Sequence, residues 1–173
     1  MQSAKIILLS IAAAVVYGIL HDQITARVCV EYFTIGHPDI FGTDSPTLLG
    51  LGWGVVATWW AGVLIGFPLA FAARLGPQPK RSAGSLVVPI VKLLGIMACC
   101  AAVAGLVGFG LATLGNVWLV GPIAELVPSE KHRYFLADLW AHNASYLSGF
   151  VGGLVLAANV WRTRMSIPIG GSP

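Results

Sequence analysis

Histidines and carboxylates are scarce in this 173-residue chain, four and seven in all, and they gather in two stretches. The first stretch holds His21, Asp22, Glu31, His37, Asp39 and Asp44; the second holds Glu125, Glu130, His132, Asp138 and His142. Asp138 and His142 stand four residues apart, so a helix there points a carboxylate and an imidazole the same way, as divalent metal ligands require. His21 and Asp22 are adjacent. His21, Asp22, Glu31, Asp138 and His142 together form a candidate metal set whose mixed nitrogen and oxygen donors suit zinc, manganese or iron. The same groups suit proton handling, since histidine titrates near neutral pH. No HExxH, GxSxG or P-loop motif is present. The cysteines, Cys29, Cys99 and Cys100, form no CxxC pair and read as small apolar residues.

The elements that must position these groups are apolar helices. The chain is 57% hydrophobic and only 10% charged, where a soluble domain carries about 25% charged residues. Crossing the hydrocarbon layer takes about 20 apolar residues in a helix. Four apolar runs appear, and they predict spans over about 5–22, 47–73, 86–114 and 143–162. The first run is short, so its helix is expected to continue past His21 into HDQITARVCVEYF. Residues 1–20 also have the pattern of a cleaved signal peptide, an alternative that leaves the orientation below unchanged. Within 21–35, Gln23, Arg27, Glu31 and Thr34 share one helical face and Ile24, Val28, Tyr32 and Ile35 another. Arg27 and Glu31 have the spacing of an ion pair.

Basic residues set the orientation. Arg74, Lys80 and Arg81 lie between the second and third runs, Arg162 and Arg164 follow the fourth, and Lys5 and Lys92 stand near the starts of the first and third. Basic ends of spans face the cytoplasm. This predicts an all-α polytopic membrane protein: four transmembrane helices arranged as two hairpins, both termini inside, one membrane domain over 1–173. The loops at about 21–46 and 115–142, with every acid and every histidine, are then extracytoplasmic. The expected location is the inner (cytoplasmic) membrane. A net charge of +3 gives no nucleic-acid surface.

Small residues recur every fourth position: Gly50, Gly54, Thr58, Gly62 and Gly66 in the second span, and Ser145, Gly149, Gly153 and Ala157 in the fourth. In lipid such stripes let backbones approach closely and supply packing. They are expected to face each other or another copy. Ser45-Pro46-Thr47 reads as an N-cap with proline at the first helical position, Gly76-Pro77 as a stop, and Pro128-Ser129-Glu130 as the start of the fourth helix. Lys5 and Gly18, like Lys92 and Gly105, stand thirteen residues apart. That parallel suggests two related hairpins.

The segment HDQITARVCVEYFTIGHP at 21–38 resembles one in small bacterial integral-membrane proteins with no known activity. The likeness extends loosely into the second span and brings no cofactor or site. Phe33 to His37 resembles one motif of intramembrane CAAX-type proteases, but their paired-glutamate motif is absent and the resemblance is rejected. Three functions remain. A non-enzymatic subunit or scaffold fits the size and the stripes, and implies a homo-oligomer or another membrane subunit as partner besides the bilayer. An outward-facing transporter or sensor of divalent metal or protons fits the histidines. A small enzyme at the outer interface fits the paired acids and bases.

Overall fold

The structure is a computed structural model that describes residues 1–166, all helix and connecting loop with no strand among them. Its helices are α1 (Gln2–Val28), α2 (Val30–Thr34), α3 (Pro46–Val56), α4 (Trp59–Arg74), α5 (Val87–Thr113), α6 (Pro122–Leu126) and α7 (His132–Met165). Four segments are long and apolar enough to cross a membrane: Gln2–Val28, Pro46–Arg74, Gly84–Thr113 and Ser129–Met165. Large apolar side chains such as Leu8, Leu64, Leu106 and Leu147 point outward from all four, as lipid-facing surfaces do.

α1 runs on to Val28, past His21, and then breaks. Cys29 is extended (φ −150°, ψ 95°), and the chain restarts as α2. The break removes the i, i+4 relation between Arg27 and Glu31. Arg27 instead donates to Gln23 Oε1 and Thr47 Oγ1, both at 2.8 Å, while Glu31 pairs with Lys131 at 3.4 Å. The single amphipathic face read from the sequence is therefore split between two short elements.

The second span is also interrupted. Thr58 Oγ1 donates to the Gly54 carbonyl at 2.5 Å, and α3 ends at Val56. Side-chain bonding to a carbonyl four residues back bends helices. The Ala57 carbonyl accepts from Tyr146 Oη of α7 at 3.1 Å. Broken helices are tolerated in lipid where the freed backbone groups find partners inside the protein.

The glycine stripe of α3 and α4 lies on α1, the chains running in opposite directions. A Cβ at Gly54 would stand 2.5 Å from Ile19 Cα, and one at Gly62 would stand 2.6 Å from Ile11 Cα. The Gly50 position meets Asp22 and Gln23, and Gly66 meets Ile7 and Ser10. In α7, Ser145 bonds Tyr17, Gly149 receives Met97 of α5, Gly153 receives Ile65 of α4, and Ala157 sits in the core with Ile6 and Leu69. Both stripes are thus used within the chain, and they face different helices rather than each other. Gly105 lies against Ala137 and Ala141 of α7, as Gly18 lies against Gly54 and Thr58.

The core is divided. One cluster, at the end carrying α2 and α6, joins Phe33, Trp53, Val127 and Phe135. The other, at the basic end, joins Ile6, Leu69, Leu86 and Val160. There Arg164 is buried, donating to the carbonyls of Ala72, Leu75, Gln78 and Pro79. It ties the end of α7 to the final turn of α4, where helical carbonyls have no partner of their own. Positive φ at Gly76 (84°) turns the chain out of that helix.

Candidate metal centre

α1 carries His21 and Asp22 to the acidic end of the bundle, and α7 carries His142 to the same level. His142 Nε2 lies 3.2 Å from Asp22 Oδ1. The other ring nitrogen, Nδ1, lies 2.8 Å from the Asp138 carbonyl oxygen. A carbonyl only accepts, so Nδ1 carries the proton and Nε2 is left to face Asp22. A backbone carbonyl on one imidazole nitrogen is the usual device for orienting the other toward a metal.

His21 completes the group. Its ring meets that of His142 edge to face at 4.5 Å and stacks on Tyr17 at 5.8 Å. His21 Nε2 is buried with no hydrogen-bond partner. One ligand atom from each of His21, Asp22 and His142 lies within 4.8 Å of the others. Metal–nitrogen bonds of about 2.0–2.1 Å place tetrahedral ligand atoms roughly 3.3 Å apart. The Asp22–His142 distance already matches that spacing, and the His21 ligand atom lies within 4.8 Å of both.

Two of the five residues singled out in the sequence stand elsewhere. Asp138 supplies its main chain, not its carboxylate, to His142; its Oδ2 is buried without a partner. The i, i+4 spacing is used for an imidazole-to-carbonyl bond along one helix. Glu31 accepts from the Cys29 thiol at 3.4 Å and faces Lys131. Burial would raise its carboxyl, but its own backbone N–H, the thiol and Lys131 together hold it below the ordinary range. His37 and His132 each bond a backbone carbonyl, of Tyr32 and Val127, both at 2.9 Å. Burial lowers the His37 pKa.

Tyr32 is the neighbour that sequence reasoning missed. Its ring stacks on His142 at 4.5 Å, with Phe33 edge-on to the same imidazole at 5.8 Å. Burial raises the Tyr32 phenol, and burial with a bond to Glu31 pushes the Cys29 thiol up to about 12. Tyr17 stands one turn before His21, a spacing that could have singled it out; Tyr32 was read only as part of an apolar helical face and lies beyond the break at Cys29.

Below the cluster lies a cavity of about 400 Å³ between all four spans. His21, Asp22, Tyr17 and Ser145 stand at its acidic end, and Ser10, Leu69 and Ile90 at the other. No family model, curated protein or solved structure matches the chain.

Proposed function

We propose that this chain is a multi-pass protein of the cytoplasmic membrane that holds one divalent transition-metal ion on His21, Asp22 and His142 at its extracytoplasmic end. The basic residues of the 74–81 loop and of the α7 terminus support the orientation, with both termini inside and the spans in two hairpins. The observation that carries the metal reading is the convergence of two imidazoles and a carboxylate, from helices 120 residues apart, around a buried nitrogen that lacks a partner. Ionisable groups inside a membrane protein mark functional sites. Two histidines and one carboxylate are the donor set of catalytic zinc and of non-haem iron sites, which keep a position open.

The ion is read as resident rather than transported. Toward the basic end the cavity offers only the hydroxyls of Thr58 and Ser10, whereas a transport path places ionisable groups near the midplane. A bound ion there supplies Lewis-acid chemistry at an interface open to lipid. In that role His142 is oriented by the Asp138 carbonyl, Asp22 balances charge, and Tyr32 and Phe33 shield the ring from water.

The test is metal content of the protein purified into nanodiscs, by mass spectrometry, beside His142→Ala. Near-stoichiometric metal that disappears in the variant is expected. No metal in either sample after soaking with zinc, manganese and iron overturns the reading. One observation favours a second reading, a subunit or scaffold with a purely structural cluster: Asp22 and His142 are close enough to share a proton directly, with no ion between them. The small-residue stripes lend that reading nothing, because both are used inside the chain.

A further inference from the structure

We propose that the cavity between the four spans is a binding site for one acyl chain of a bilayer lipid, seated with its headgroup at the level of His21 and Asp22. This goes beyond the metal reading and does not depend on it.

Length is the first support. The cavity follows α1 from Ser10 to Asp22, which at 1.5 Å per residue is about 18 Å. That spans more than half of a hydrocarbon layer about 30 Å thick. At about 400 Å³ it falls at the lower end of ligand sites, which run from about 300 to 1,000 Å³. That volume suits one acyl chain rather than a whole two-chain lipid.

Chemistry is the second. Apolar side chains from α4, α5 and α7, among them Ile65, Leu93, Leu94 and Met97, make most of the wall. The ionisable His21 and Asp22 stand at one end with Tyr17 and Ser145, whereas the far end offers only the Ser10 hydroxyl, which donates to the Ile6 carbonyl of its own helix. Apolar cavities exclude water, and unfilled ones forfeit dispersion contacts on every wall. A long chain with one polar end is the ligand that matches both the wall and its polarity.

Access is the third. Trp60, Leu147 and Phe150 line the cavity yet remain 43%, 68% and 48% exposed. These residues belong to α4 and α7, so the cavity reaches the outer surface of the bundle along their seam. That surface faces acyl chains. The interruption at Thr58 lies on the same wall, where Tyr146 bonds the freed Ala57 carbonyl and stacks on Trp60 at 6.1 Å. The local solvent is therefore itself the occupant, and it enters sideways from the bilayer.

The experiment uses full-length protein in nanodiscs containing a phosphatidylcholine with a diazirine in its acyl chain. After illumination, adducts are mapped by peptide sequencing. Adducts on the inward residues Leu94, Met97 and Tyr17 are expected, besides those on the outward controls Val103 and Leu106. Ala14→Phe and, separately, Leu94→Phe fill the cavity and should lower the inward adducts at least fivefold while leaving the outward ones unchanged. His142→Ala should lose metal and keep the inward adducts, which separates failure of the metal reading from failure of this one. Wild-type adducts confined to the outward residues overturn the proposal. So do inward adducts that persist at full yield in both filled variants.

Discussion

Asp22 Oδ1 and His142 Nε2 lie 3.2 Å apart across the bundle, although 120 residues separate them in the chain. Both are buried, and each is the other's means of staying so. Removing one partner of a buried pair leaves the other uncompensated, at a cost of about 3–5 kcal/mol, whereas replacing both by apolar residues is often neutral. Asp22→Leu and His142→Leu should each lower unfolding stability in detergent by several kcal/mol, and the double variant should recover most of it. Additive losses in the double variant would show that the two residues act separately.

Packing of α1 on the second span makes a graded prediction. A Cβ at Gly54 or Gly62 meets main-chain atoms of α1, which cannot turn aside; one at Gly66 meets Ile7 Cα at 3.1 Å, a milder contact, and one at Gly110 meets nothing. Overpacking costs about 1–3 kcal/mol. Gly54→Ala and Gly62→Ala should therefore destabilise strongly, Gly66→Ala weakly, and Gly110→Ala not at all. Thermal unfolding in one detergent ranks all four. An unchanged midpoint in Gly54→Ala would contradict the close approach.

Arg164 makes its own test. Its planar guanidinium reaches four carbonyls, those of Ala72, Leu75, Gln78 and Pro79. Lysine keeps the charge but offers a point donor on a flexible stem. Hydrogen bonds from charged groups contribute about 1.5–3 kcal/mol each. Arg164→Lys should lose at least one such increment and open the 74–81 loop to proteolysis in inverted vesicles. Equal protection in both proteins would limit the role of Arg164 to its charge.

The acidic end predicts a pH dependence. Glu31 faces Lys131, the Cys29 thiol and, more distantly, Asp138. Its folded pKa lies below the ordinary 4.5. Its contribution to stability is therefore fully present above that value and is lost as pH falls through the folded pKa. Unfolding midpoints measured from pH 6 downward should drop below pH 4.5, and the drop should shrink in Glu31→Gln. Identical profiles would rule out this carboxyl as the source.

Cys29 should be chemically silent. It is buried, and its thiol is pushed up to about 12. The thiolate is the reactive form, so a water-soluble maleimide at pH 7.5 should label Cys29 only after unfolding. Rapid labelling of folded protein, in a variant with Cys99 and Cys100 replaced by alanine, would mean that the turn between α1 and α2 opens.

Much of this was written along the chain. Runs of apolar residues are a one-dimensional signal, because a helix in lipid satisfies its backbone internally and asks only for length and hydropathy. So the four candidate spans, the proline that opens α3 and the glycine that ends α4 were all legible. His21, Asp22 and His142 are legible from residue type and spacing, though the spacing that marks His142 pairs it with the Asp138 carbonyl rather than its carboxylate. What the sequence left open was decided by tertiary contact. Glu31 turned to Lys131 because Cys29 leaves the helix between Arg27 and Glu31. Asp138 gave its carbonyl rather than its carboxylate because an imidazole four residues on reaches back along its own helix. Both glycine stripes turned inward because α1 and α5 offered main chain and side chains to meet them. Periodicity states which residues share a face, but only the folded bundle states what that face meets.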